Sequence, residues 1–481
     1  TVFHDANIPT FDTAERAVRA FMDLYRYAQN LEAIQEVPPK LPRKLDVDRG
    51  RAEEIIRSGC ESRIPYLTEL DAKRLLAAYG LPVNTTRLAQ TSTEVVHLSR
   101  EIGYPVVLKI QSKDILHKSD AKCVLLNLRN DTEVAEGYKD ILASAAHYNP
   151  RACIEGVTVQ RMLPKPEYEI ILGARKDRDF GPIIIFGMGG IFTEVYQDRS
   201  IGLPPLNRLL AKRMMKQTKV YRLLRGYRSI PAANLLAMEE ALIRLAHLVS
   251  DFAYIEELDI NPLICMGQEI VALDARVVLN PEPEVPTPFH LVISSYPNQY
   301  ESYATSKNGL DIFIRPIKPE DAPLLTDFFK TLSPQTVYFR FFRSMKHLPK
   351  DMLIRFTQVD YDREIALVAL HESEGGEEML GAARVIKEHH ANSGEFAVLV
   401  SDSWQGQGIG AALLKNCLTI AQERGLQKVW GCVLSGNTQM LALGKKLGFE
   451  IKRDQGSMDF ILSIDLQHVD LVGEKATIDS P

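Results

Sequence analysis

Three glycines fall within Trp404-Gln405-Gly406-Gln407-Gly408-Ile409-Gly410, directly after the alternating apolar run Phe396-Ala397-Val398-Leu399-Val400 and at the start of a helical pattern. The order is strand, glycine loop, helix. A helix N-terminus carries unpaired backbone N–H groups and partial positive charge, so glycines that let a ligand approach there suit a phosphate or pyrophosphate. Gly406-x-Gly408-x-x-Ala411 also fits a loose dinucleotide fingerprint. That fold needs an acidic residue closing the next strand to hold a ribose, and Lys428 to Val433 ends without one.

Earlier in the chain, three further places have residue types suited to chemistry. Lys109 ends the apolar strand Val106 to Ile110, where its ammonium could hold a nucleotide phosphate or simply reach solvent. Phe180-Gly181-Pro182, an apolar strand and Gly187-Met188-Gly189-Gly190 suit a backbone passing close to a ligand, or a tight turn. Asn261 and Asp274 lie on two segments joined through Met266-Gly267-Gln268. Their oxygens could converge on magnesium, which takes a few protein oxygens plus phosphates, or be ordinary hairpin polar groups. Eight basic residues without an acid, Arg208, Lys212, Arg213, Lys216, Lys219, Arg222, Arg225 and Arg228, read as one face of an amphipathic helix that is solvated, or that binds an acidic protein surface or a nucleotide, or nucleic acid.

The elements that must position these residues divide the chain. At 45% hydrophobic and 25% charged, it suits a soluble globular protein of roughly two to four domains. The net charge of −5 gives no basis for a nucleic-acid partner. No apolar run approaches the roughly 18 residues of a membrane span, and no signal peptide is visible. Six scattered cysteines without a C-x-x-C pair read as reduced thiols, hence a cytoplasmic location. Residues 1–45 end in the proline cluster from Val37 to Pro42; 46–280 alternate helix and strand. Apolar runs such as Ile183 to Phe186 suggest strands covered on both faces. Pro281, Pro283, Pro286, Pro288 and Pro297 mark 281–308 as a semi-rigid linker. Strands and helices then fill 309–468, with 469–481 as a tail.

Motifs occurring jointly and in order make residues 50 to 280 resemble the ATP-grasp part of the NDP-forming acyl-CoA synthetases. They are Tyr66-Leu67-Thr68-Glu69, Tyr79-Gly80-Leu81-Pro82-Val83, Gly103 to Lys109, His117-Lys118-Ser119-Asp120, Phe180-Gly181-Pro182, Asp259-Ile260-Asn261-Pro262 and Leu273-Asp274-Ala275-Arg276. The resemblance implies that Lys109 and Glu169 face ATP or ADP, that Asn261 and Asp274 hold Mg2+, and that His117 relays phosphate. Where that family has paired glycines before a valine, this chain has Ala121-Lys122-Cys123-Val124, narrowing the room for a phosphate. Residues 1–45 read as the C-terminal remnant of a synthetase-like ligase domain. Synthetase turnover is therefore not expected.

Gln405-x-x-Gly408-x-Gly410, with Asn437-Thr438-Gln439-Met440 through Lys446-Leu447-Gly448-Phe449, makes residues 309–468 resemble the GCN5-related N-acetyltransferases. The expected fold is thus α/β and α+β: an ATP-grasp domain followed by a GCN5-related domain with a mixed, mainly antiparallel sheet. Acetyl-CoA is the implied cofactor, held by Leu399, Val400, Gln405, Gly406, Gln407, Gly408, Ile409, Gly410 and Asn437. A lysine amine is mostly protonated at neutral pH, so acyl transfer needs a base or a desolvating site. The resemblance implies Glu395, with Glu364 and Glu388 as competitors. Amides near Leu399 and Val400 would polarise the thioester carbonyl. The tyrosine that protonates the thiolate in that family corresponds to Gly444, so no general acid is named. Tyr338-Phe339-Arg340-Phe341-Phe342-Arg343 with Lys346 and His347 reads as core aromatics, or as a basic face for an acidic protein substrate.

The two parts in this order resemble the bacterial Pat-type protein lysine acetyltransferases. That implies acetylation of protein lysines, notably on acyl-CoA synthetases, by a regulated homo-oligomer with no nucleic-acid or membrane partner. Two alternatives are a small-molecule N-acetyltransferase fused to a working ADP-forming synthetase, and a non-catalytic sensor of acyl-CoA or nucleotide.

Overall fold

Short alternating runs separated by turn residues give ten strands between residues 86 and 279 in the computed structural model. The structure describes residues 5–6, 8–34, 46–62, 65–115, 118, 120–190, 198–285, 290–294, 296–373, 376–388, 391–454 and 459–468. Chain contacts define two compact units, Lys40–Ser295 and Thr1–Pro39 with Tyr296–Pro481.

In the first unit, β1 (Thr86–Ala89), β2 (Val106–Gln111), β3 (Val124–Leu128) and β4 (Gly156–Arg161) form a sheet in the order β1-β4-β2-β3. The strands β5 (Tyr168–Asp177), β6 (Gly181–Met188), β7 (Arg199–Gly202), β8 (Ile255–Met266), β9 (Glu269–Ala272) and β10 (Arg276–Leu279) form a second sheet. Its order is β10-β8-β5-β6-β7, with β9 also paired to β8. Every described ladder in both sheets is antiparallel. The helix Leu235–Asp251 buries Met238, Leu242, Leu245 and Val249 in the core that also holds Ile170, Leu172, Ile184 and Phe186. β6 corrects the expectation of strands covered on both faces. Ile184 and Phe186 are fully buried while Ile183 and Ile185 are only half-buried, as an antiparallel sheet with one better-covered face permits.

The basic run folds as two helices, Arg208–Lys216 and Val220–Leu224, instead of one. The Asp198 carboxylate accepts from the Lys219 and Val220 N–H groups at 2.7 Å each, which caps a new helix start.

The second unit holds β11 (Ser302–Thr305), β12 (Asp311–Pro316), β13 (Glu364–Ser373), β14 (Gly376–Lys387), β15 (Ser393–Val400), β16 (Lys428–Val433), β17 (Glu450–Arg453) and β18 (Phe460–Asp465). Their order is β11-β12-β13-β14-β15-β16-β18-β17. All ladders are antiparallel except that between β15 and β16. The helix Ile409–Glu423 buries Leu413, Leu414, Cys417 and Leu418 on one sheet face. Helices Ala322–Lys330 and Lys350–Thr357 supply Leu325, Phe328, Leu353 and Phe356 to a cluster with Val368, Leu370 and Leu399 on the other. The linker expectation is corrected at its end: Ser302–Thr305 pairs with Asp311–Ile314 as the edge strand. The helix Lys350–Thr357 is an element that periodicity did not reveal.

All six cysteines are unpaired, and no helix of the described residues is long and apolar enough to cross a membrane.

Candidate functional site

Past Glu395 the eight-stranded sheet opens. β15 and β16 pair only at Ser393, Gly394 and Glu395, opposite Lys428, Val429 and Trp430. On its other edge, β15 stays paired with β14 through Val400 without a register shift. The Glu388 N–H bonds the Ser393 carbonyl and the Ser401 N–H bonds the Leu380 carbonyl, each at 2.9 Å. Antiparallel neighbours alternate between bonded and non-bonded pairs. Odd-numbered residues of β15 therefore turn their backbone groups to β14, and Phe396, Val398 and Val400 turn theirs to the opening. The expectation for Leu399 is corrected: its N–H belongs to the β14 ladder, and Val398 joins Val400 in facing the opening.

The loop that follows is braced from several sides. Asp402 accepts from the Ser333 N–H, the Ser333 hydroxyl and the Thr336 hydroxyl, all at 2.8 Å. Burial works against its charge, but these bonds win and hold its pKa below the usual carboxylate range. Gln405 donates through Nε2 to the Val400 carbonyl at 3.2 Å and to Thr336 Oγ1 at 3.4 Å, so its side chain fixes the loop to the strand end. Gly406 and Gly408 have φ of +76° and +89°, a region where glycine alone is unstrained. A Cβ on Gly406 would meet nothing within 4 Å.

Gly408 stands at the N-cap of the helix Ile409–Glu423 and supplies no side-chain cap. The first intrahelical bond runs from the Ala412 N–H to the Gly408 carbonyl. The amides of Ile409, Gly410 and Ala411 therefore lack intrahelical acceptors at the positive end of the helix. The Ile409 side chain is 1% exposed in the core, so only its amide can serve a ligand. The Gln407 carbonyl accepts from the Lys307 N–H at 3.3 Å. Asn437 caps the helix Thr438–Lys446, its Oδ1 accepting from the Met440 N–H at 3.1 Å; only its amide nitrogen remains for a cofactor.

Glu395 is exposed and shares its face of β15 with Ala397 and Leu399, opposite the face where Val398 and Val400 meet the glycine-loop helix. Its competitors are engaged. Glu364 accepts from Arg384 at 2.6 Å and Glu388 is bonded to Ser393. At Gly444, which the resemblance matches to a tyrosine position, a Cβ would lie 2.3 Å from Leu462 Cδ2. That position faces the core.

In the first unit, sequence reasoning missed the hub. The Glu69 carboxylate, 6% exposed, accepts from Lys73 and Lys109 at 2.9 Å, Lys118 at 2.7 Å and Gln160 Nε2 at 2.7 Å. Burial raises its pKa, but Lys109, Lys73 and Lys118 overcome that and hold it well below the carboxylate range. Burial pushes Lys73 down to about 8 against the pull of Glu69. The i,i+4 spacing of Glu69 and Lys73 was a visible signal; Lys118 and Gln160 offered none.

Lys109 also reaches Asp274 Oδ2 at 3.7 Å. The β8–β9 register, Leu263 opposite Ala272, continues through the bond from the Leu273 N–H to the Pro262 carbonyl and sets Asn261 opposite Asp274. Asn261 Oδ1 accepts from the Gly190 N–H at 3.2 Å. Glu169 lies beside that glycine, where a Cβ would stand 2.1 Å from its Oε2. Lys109, Asp274, Asn261 and Glu169 thus follow one another along one side of the unit.

Asp259, two residues before Asn261, is pushed up to about 6 by burial and then by Glu257 and Asp274. Asn261 and Asp274, set opposite one another by the β8–β9 register, offer oxygens of the kind Mg2+ takes, so the residues present fit Mg2+. Among the described residues no three His, Cys, Asp or Glu side chains converge as a metal site. Asn261 and Asp274 would therefore hold Mg2+ together with nucleotide phosphates. His117 lies outside the described residues. Lys122 takes φ +54° with its side chain exposed, and Cys123 is buried in the core. Both side chains in place of the paired glycines are thus accommodated.

Residues 60–279 match the model of the ATP-grasp domain and 331–449 that of the acetyltransferase (GNAT) family. The 4-hydroxybutyrate–CoA ligase (ADP-forming) of Nitrosopumilus maritimus is 37% identical over 280 residues, 58% of this chain and 39% of that protein. This chain therefore spans about two fifths of that relative's length. The beta subunit of acetate–CoA ligase (ADP-forming) I from Pyrococcus furiosus is 39% identical over 230 residues, 48% of this chain and 98% of the subunit. An acetyltransferase of Pseudomonas aeruginosa is 30% identical over 147 residues, 31% of this chain and 79% of that protein.

Proposed function

The chain belongs to the ATP-grasp family of ADP-forming acetate–CoA ligase beta subunits and carries a GNAT-family acetyltransferase domain, and from that premise we propose that it acetylates lysine side chains of other proteins, acyl-CoA synthetases among them. The observation that carries this reading is the opening of β15 from β16 immediately after Glu395, beside a helix that begins without a cap. Acetyl-CoA supplies the activated acyl group as a thioester. The amides of Ile409, Gly410 and Ala411 would receive its pyrophosphate, and the Val398 and Val400 N–H groups would face its pantetheine and thioester end. Glu395 takes the proton from the incoming lysine amine, directly or through water, and the amine attacks the carbonyl without a covalent enzyme intermediate. CoA departs as its thiolate, to which no general acid is assigned.

The first unit serves this reading as a nucleotide-responsive regulatory region of a cytoplasmic homo-oligomer. Lys109, Glu169, Asn261 and Asp274 would face ATP or ADP with Mg2+. Their retained arrangement also favours a second reading, an ADP-forming synthetase joined to a small-molecule acetyltransferase. Acyl-CoA formation by this chain from acid, CoA and ATP would support that one. CoA binding without any acetyl transfer would favour a sensor.

The test incubates the chain with acetyl-CoA and candidate synthetases and maps acetyl-lysine by mass spectrometry. Glu395→Gln should lower transfer by about 10²–10⁴-fold, the usual span of general-base catalysis. Unchanged acetylation would remove Glu395 as the base.

A further inference from the structure

Below Glu395 the same face of β15 lines a pocket with Ala397 and Leu399. Arg340, Phe341, Phe356 and Arg384 form part of its remaining wall. The two arginines are in different situations. Arg384 donates to Glu364 at 2.6 Å and to the Phe356 carbonyl at 3.2 Å, and lies 4.4 Å over the Phe356 ring. Arg340 has no hydrogen bond or ion pair among the described residues; its guanidinium lies 5.2 Å from the Phe341 ring. It is half-buried. Burial and Arg384 disfavour its charge, while Glu395 and Glu364 attract it without contact. A cation held in an apolar wall without a partner is costly, and an anion arriving with a ligand would relieve it.

The helix Pro334–Phe341 that carries Arg340 packs on β15. A Cβ on Gly436, in the turn after β16, would sit 3.7 Å from the Phe339 ring. The helix therefore spans from β15 to the chain beyond β16, across the opening. Arg343, Lys346, His347 and Lys350 follow it, all exposed, with Asp351 the one acid between Phe339 and Met352.

Resting on the lysine-transfer reading above, we propose that Arg340 determines acceptor specificity: the site takes lysines flanked by Asp or Glu, and the Arg340 guanidinium pairs with that carboxylate while Glu395 receives the amine. Such a charge-assisted bond forms with planar, two-pronged geometry that a lysine in its place would not reproduce. The exposed cations beyond it extend the same preference along the acceptor chain, with a dependence on salt.

Two peptides differing only in whether Glu or Gln flanks the acceptor lysine test this, with kcat/KM measured for each using acetyl-CoA. The wild type should prefer the Glu peptide about tenfold or more. In Arg340→Ala that ratio should fall to near one, and Arg340→Lys should restore part of it, which also shows that the altered chain folds. Arg340→Glu should invert the preference toward a peptide with a flanking Arg. A wild-type ratio near one, or an unchanged ratio in Arg340→Ala, overturns the inference while leaving lysine transfer intact. Failure of the wild type to acetylate either peptide overturns the lysine-transfer reading and this inference with it.

Discussion

Around Glu69 three ammonium groups and an amide already converge on one carboxylate; at the start of the helix Ile409–Glu423 three amides face outward with no cap. Both places are polar and positive, yet they stand in different relations to a ligand. A phosphate arriving near Lys109 must compete with Glu69 and Asp274 for an ammonium that both already attract. A phosphate arriving at Gly408 meets the Ile409, Gly410 and Ala411 amides, which have no intrahelical acceptor. The first arrangement is stable without its ligand and can respond to one by rearranging. The second is completed by its ligand, which suits a loop that must bind and release cofactor at every turnover.

The largest break in this comparison should come from Glu69→Ala. Removing the carboxylate leaves Lys73 buried without its carboxylate partner and Lys109 with only Asp274 at 3.7 Å, and breaking a buried pair in this way costs about 3–5 kcal/mol. Calorimetry should show the first unit's transition shifted down. Tryptophan fluorescence should hardly move, because Trp404 and Trp430, the chain's two tryptophans, lie in the second unit.

A smaller effect of opposite sign is expected from Asp259→Asn. The Asp259 pKa is raised from 3.8 to about 6 in the folded chain. Near pH 3.5 the carboxyl is mostly protonated folded and unfolded, and contributes little. As pH rises through 6 the folded state acquires a crowded, desolvated charge and loses stability relative to the unfolded chain. The substitution should therefore raise the first unit's melting temperature at pH 7.5 and leave it nearly unchanged at pH 4. An equal shift at both pH values would remove the charge as its cause.

The smallest effect sharpens the open side. Asn437→Ala should cost about 1 kcal/mol as a lost cap, seen in the fluorescence melt of the second unit. Its CoA affinity, followed by calorimetric titration, should change less than threefold if Asn437 acts through the helix and not on the cofactor.

What could be read in advance follows the same division between local and distant causes. Gly406, Gly408 and the helix start at Ile409 were legible because positive φ and helix initiation depend on residues a few positions apart. The mainly antiparallel second unit followed from the resemblance carried by Gln405, Gly408, Gly410 and the Asn437 segment. Leu399 was misassigned because the direction of a strand amide depends on which neighbour it pairs with, and that phase is set by contacts with β14. Glu69 stayed invisible as a hub since three of its four donors, Lys109, Lys118 and Gln160, lie 40, 49 and 91 residues along the chain. Proline density around 281–297 hid Ser302–Thr305, which is a strand through pairing with β12 and not through its own composition. At Gly444, the resemblance located the residue but not the packing of Leu462 against it.

The three-pair ladder between β15 and β16 also has a signature in exchange with solvent deuterium. Val398 and Val400 lie in the interior of an eight-stranded sheet, but their amides face the gap and should exchange as fast as those of an outer strand. The amides of Ala397 and Leu399, bonded to β14, should be protected alongside them. Adding CoA should slow exchange at Val398 and Val400 and leave their odd-numbered neighbours as they were, so that one strand reports cofactor occupancy with every second residue.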